Sequence, residues 1–98
     1  MRLISKNARI MTRKELITQL VENHNEQNIK LLCNFPTLLR DLYMMEDYDE
    51  IYSVYKRKGI HTLKESSRDF VLDRYRIGIN QFYEIRQRVD WILENLSS

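Results

Sequence analysis

Glycine, proline and cysteine are almost missing from this chain, with two, one and one in 98 residues. A β fold built on many tight turns needs more Gly and Pro than that, so the composition favours helices. The lone Cys33 excludes an intramolecular disulfide, and its setting between Leu31, Leu32 and Phe35 predicts a buried thiol. No apolar run approaches the ~20 residues of a membrane span, and no apolar stretch follows the basic N-terminus as it would in a signal peptide. The expectation is a soluble cytoplasmic protein that does not enter a membrane.

Catalytic and metal-binding patterns are equally scarce. His24 and His61 lie far apart, and neither has a Cys or a paired acid at ligand spacing. Two isolated glycines cannot form a phosphate-cradling loop. Asp47, Asp49 and Glu50 cluster, but carboxylates grouped in this way usually cap a helix start and meet its dipole. No enzyme, no metal and no cofactor are expected.

What is present describes one small globular domain over residues 1–98. Apolar residues make up 43% and charged residues 31% of the chain, a balance that supports folding rather than disorder. So short a chain buries a modest core, which makes a homodimer an advantage. The net charge is only +2, but it is unevenly spread. Residues 1–14 hold Arg2, Lys6, Arg9, Arg13 and Lys14 with no acid, the middle is acidic, and the last third is basic again. Basic ends can lie on phosphates while an acidic middle faces solvent or a partner.

Residues 1–11 show no period and read as a flexible basic arm. Thr12 to Glu15 is a capping box, followed by Leu16, Ile17, Leu20 and Val21 at helical spacing. The polar segment from Glu22 to Asn28 predicts a frayed, broken or protruding helix, and Ile29, Leu31, Leu32 and Phe35 resume the apolar pattern. Pro36 suits the first turn of a new helix, whose stripe is Leu38, Leu39, Leu42, Tyr43 and Met45. A restart is expected at Asp47 to Glu50, with Gly59 as the left-handed residue behind that helix. Thr62 to Glu65 repeats the capping box. It opens a helix to about Tyr75 that is expected to bury Phe70 and Val71. Asn80 is the expected cap of a last helix running to about Leu96, in which Phe82, Ile85, Val89, Ile92 and Leu96 recur at spacings of three and four. The fold class is all-α, a small bundle of four or five helices.

Residues 62–96 have the layout of a helix-turn-helix. Val71, Leu72 and Tyr75 face inward from the first helix, Ile77 plugs the angle, and Phe82, Ile85 and Val89 form the inner side of the second. At about 100° per residue, Asn80, Tyr83, Glu84 and Gln87 project opposite that inner side with Arg86 and Arg88 on its flanks, and these four with Gln81 are the candidate base-reading residues. Asn and Gln can pair with adenine, Arg with guanine, and Glu can accept from cytosine. Lys64, Arg74, Arg76, Arg86 and Arg88, with Arg2, Lys6 and Arg9 in the arm, are the candidate phosphate contacts. A plain bundle hairpin shares the same hydrophobic pattern.

The segment from Tyr75 to Val89 resembles the turn and recognition helix of small helix-turn-helix proteins of bacteria and their phages. The resemblance covers about a quarter of the chain. It implies sequence-specific binding of double-stranded DNA, usually as a dimer, in transcription regulation or as a mobile-element or phage accessory factor. Two departures stand out: Arg76 occupies the place of the usual turn glycine, and Leu72 replaces the usual Ala or Gly.

The competing reading is a small phage-type inhibitor or adaptor. Tyr48, Tyr52 and Tyr55 share one helical face beside the acids of the middle segment, and Tyr is enriched at interfaces. Trp91, on the polar side of the last helix, is expected to pack against the N-terminal helix or against a second subunit, and in the latter case extends the contact surface.

Overall fold

The computed structural model describes residues 11–96. Among them the chain forms five helices and no strand: α1 (Arg13–Glu22), α2 (Glu26–Asn34), α3 (Leu38–Arg57), α4 (Leu63–Tyr75) and α5 (Ile79–Leu96). The all-α expectation is met. No described helix is long and apolar enough to cross a membrane.

Local chemistry explains most of the boundaries. Thr12 Oγ1 accepts from the Glu15 N–H at 3.1 Å, and the Thr12 N–H donates to Glu15 Oε1 at 2.8 Å, so two orphan donors at the start of α1 are satisfied reciprocally. The polar segment after Glu22 is a clean break. Asn25 caps α2 by accepting from the Asn28 N–H at 2.9 Å. Asn28 is itself buried, and its side-chain amide joins the two helices. It donates to the Gln19 and Asn23 carbonyls at 3.3 and 2.7 Å and accepts from Gln19 Nε2 at 3.1 Å. A buried amide with its donors and its acceptor used holds a helix corner without a desolvation deficit. Pro36 lies in the turn after α2, two residues ahead of α3, rather than in the helix itself.

The expected restart at Asp47 does not occur, and α3 runs unbroken for 20 residues. Its acids are occupied by cations and a hydroxyl from other helices, so they do not compete for the backbone as helix-capping acids do. Asp49 receives Arg13 Nη1 at 2.8 and 3.0 Å, and Asp47 Oδ2 accepts the Tyr75 hydroxyl at 2.6 Å. The helix ends as expected at Gly59, with φ +73°. The Gly59 N–H reaches the Lys56 carbonyl and the Ile60 N–H reaches the Tyr55 carbonyl, a Schellman closure. Thr62 forms no side-chain cap on α4, because its Oγ1 pairs with Ser66 Oγ at 2.8 Å.

α3 is the hub. It packs against α1, α4 and α5, and both α4 and α5 meet it more extensively than they meet one another. Leu16 and Leu20 of α1, Leu38, Leu42, Met44, Met45 and Tyr48 of α3, Val71 of α4, and Phe82, Ile85, Val89, Ile92 and Leu93 of α5 make one core. Two burial expectations fail. Phe70 is 36% exposed, and the inner side of α4 is carried by Val71 and by Ser67, whose hydroxyl donates to the Leu63 carbonyl at 2.6 Å. Cys33 is exposed, because α2 lies at the margin of the core and turns only Leu31, Leu32 and Asn28 toward it.

Candidate nucleic-acid interface

The turn between α4 and α5 is set by Arg76, which adopts φ 53° and ψ 52° in the left-handed region. It is the single described non-glycine residue there. The Ile77 N–H closes onto the Leu72 carbonyl at 3.1 Å, and the Phe82 N–H donates the first bond of α5 to the Gly78 carbonyl at 3.0 Å. α5 therefore begins at Ile79. Asn80 sits within its first turn and not at its cap, since Gly78 opens the helix.

Phe82, Ile85 and Val89 point into the core, and Ile77 packs against its edge. Asn80, Tyr83, Glu84 and Gln87 project from the opposite side of α5 and Gln81 from its flank, and all five are exposed. Tyr83 is not wholly free, because its hydroxyl accepts from Arg68 Nη1 at 3.3 Å, which ties α5 to α4 on the outside. That bond, together with Asp69, holds the Arg68 guanidinium further toward its protonated form.

Among the described residues, the predicted phosphate contacts divide into three groups. Arg74 and Arg76 are exposed near the turn, with Arg74 at 3.6 Å from Asp47. Lys64 and Arg86 face instead a groove between α3, α4 and α5, where they meet Tyr48, Asp49, Tyr52 and Ser53. Arg88 also serves the fold: its Nη2 donates to Asp41 Oδ2 at 2.8 Å from a side chain that is 39% exposed, and the Asp41 carboxylate also accepts from Thr37 Oγ1 and from Arg40. Arg2, Lys6 and Arg9 lie outside the described residues. Between residues 11 and 96 there are thirteen basic and fourteen acidic side chains, so the folded body has no general attraction for a polyanion.

The acidic, tyrosine-rich middle is not the open face that its sequence suggests. Tyr48 is 8% exposed, with its ring 5.7 Å from Phe82 and 6.1 Å from Tyr52. Burial raises its pKa above the ordinary tyrosine value, against the lowering effect of Arg86. Tyr52 and Tyr55 are half-buried. Asp41, Asp47 and Asp49 all serve internal pairs. Glu46 is held above the usual carboxylate range by burial and then by Asp49 and Glu50 beside it. Trp91 is the true outlier: it is 58% exposed, and its ring centroid stands 6.4 Å from that of Phe35.

Among the described residues, no three His, Cys, Asp or Glu side chains gather as a metal site would require. Comparison of the chain with models of known families, with curated proteins and with solved structures finds no match.

Proposed function

We propose that the chain is a sequence-specific DNA-binding protein whose α4–α5 unit acts as a helix-turn-helix, with the first half of α5 entering a major groove. The observation that carries this reading is the exposure of Asn80, Tyr83, Glu84 and Gln87 on the side of α5 opposite Phe82, Ile85 and Val89, with Gln81 exposed on its flank. Amide side chains at such a position suit adenine, and Glu84 suits the amino group of cytosine. Arg74 and Arg76, at the turn that leads into α5, supply backbone contacts that orient the helix without reading sequence. The three cations Arg2, Lys6 and Arg9 restore the positive charge that the folded body lacks.

Trp91 and Phe35 fit a second copy of the chain in this scheme. Trp91 follows Asn80 by eleven residues on the same helix, a separation of roughly 16 Å along the axis. The start of α5 can therefore face DNA while its end meets a partner. An inhibitor that docks through its acidic middle has less support, because the Asp side chains of that segment are engaged within the fold.

Fluorescence anisotropy with random and genomic duplex DNA at two salt concentrations tests the proposal. The expected result is binding that weakens steeply with salt and a subset of sequences retained above the random background. Absence of binding at low salt, or retention that ignores both sequence and the Asn80→Ala and Gln87→Ala changes, would overturn it.

A further inference from the structure

The groove between α3, α4 and α5, about 360 Å³ in volume, lies outside the proposed base-reading surface and has a chemistry of its own. Lys64 of α4 and Arg86 of α5 both line it, and neither forms an ion pair with an acid among the described residues. Arg86 is positioned by the Tyr48 ring, with its guanidinium carbon 5.9 Å from the ring centroid, a cation–π arrangement. Asp49 is the one acid in the lining, and Arg13 occupies both of its oxygens. Two positive charges therefore face the groove against one carboxylate, which is itself paired with Arg13.

Tyr48 adds the second observation. It lines the groove and is more than nine-tenths buried, yet its hydroxyl has no hydrogen-bond partner among the described residues. A buried O–H without a partner is costly in a folded protein and is usually met by something in the adjoining space. Tyr52 completes the site. It stacks on Tyr48 with an interplanar angle of 29° and turns a half-exposed flat ring to the groove.

We propose that this groove binds a mononucleotide, with its phosphate between Lys64 and Arg86 and its base lying on Tyr52. Two cations and the Tyr48 hydroxyl match a dianionic phosphate ester, which offers charge and acceptor oxygens to all three. The Tyr52 ring supplies the sequence-tolerant stacking that any base can use. The volume falls in the range of small-ligand sites, whose lining combines an apolar surface with a few polar groups. The site does not rest on the DNA reading and stands or falls separately from it.

Titration of the full chain with adenosine 5′-monophosphate, thymidine 5′-monophosphate, adenosine and inorganic phosphate, followed by amide chemical shifts, tests the site. Both mononucleotides are expected to shift residues around Tyr52, Lys64 and Arg86, and to bind at least tenfold more tightly than adenosine or phosphate alone. Lys64→Ala removes an exposed charge that no packing depends on, and Tyr48→Phe keeps the ring while deleting the donor. Each should weaken the mononucleotides several-fold in a folded protein. Gln87→Ala should leave them unchanged. Equal binding of inorganic phosphate, equal binding of adenosine, no shifts at millimolar mononucleotide, or indifference to Lys64→Ala would each overturn the proposal.

Discussion

Arg88 Nη2 donates to Asp41 Oδ2 across 2.8 Å, and through this bond α5 neutralises a carboxylate that is wholly buried in α3. Removing a cation from a buried pair leaves its partner stranded, which is far more damaging than losing an exposed ion pair. Arg40 also reaches Asp41, from a half-exposed position. Arg88→Met is therefore expected to lower stability by about 2–3 kcal/mol, below the full penalty for an orphaned charge because Arg40 remains. Urea unfolding measures it. A double change of Arg88 and Asp41 to apolar residues should recover most of the loss, and a neutral single variant would contradict the pairing.

Arg76 holds a left-handed backbone that disfavours any residue with a Cβ. Arg76→Gly should raise stability by about 1 kcal/mol, since glycine takes that conformation without the steric penalty. For a domain of this size the melting temperature should rise by about 4–8 °C. A fall in melting temperature would show that the Arg76 side chain stabilises the turn by more than its backbone costs.

Tyr75 is the pH-sensitive group. Burial, followed by the hydrogen bond to Asp47 and the charge of that carboxylate, pushes its pKa up to about 12 from the ordinary 10. Because the folded value lies above the unfolded one, its contribution is complete below pH 10 and is lost as pH rises toward 12. Wild-type stability should decline across that window, and Tyr75→Phe should decline less. At neutral pH the variant should lose about 1.5–3 kcal/mol, as expected for a bond to a charged acceptor. Parallel urea titrations at neutral and alkaline pH, with tyrosine absorbance, check both statements.

Gln87 and Arg76 separate reading from gripping. Gln87→Ala should reduce the preference for the best DNA sequence by ~1–3 kcal/mol and leave the fold intact, as the side chain is exposed. Arg76→Ala should weaken all sequences alike and make the salt dependence shallower by about one phosphate contact. Competition binding with cognate and scrambled duplexes distinguishes the two.

Helix positions were readable from the chain where side-chain period and cap chemistry agreed. Phe82, Ile85, Val89 and Ile92 form the buried stripe that their spacing predicts, Thr12 and Glu15 form their capping box, and Gly59 closes α3. The misreadings of Asp47, Asp49 and Arg88 share one cause: their partners are distant in sequence. Asp47 and Asp49 read as helix starters because Arg13 and Tyr75 lie 36 and 28 residues away from them. Arg88 read as a surface cation because Asp41 is 47 residues distant. The α5 surface was legible because it depends on one helix alone. The groove was not, because three helices contribute to it. Tyr48 and Lys64 carried separate expectations until the packing placed them side by side.

The central position of α3 also governs what can be transplanted. Since α4 and α5 lean on that helix more than on each other, a peptide cut to residues 62–96 would lose the apolar wall that holds its two arms at an angle. Grafting the hairpin onto another scaffold would demand a substitute for Leu42, Met45 and Tyr48, which α3 supplies here under the cover of Leu16 and Leu20 from α1.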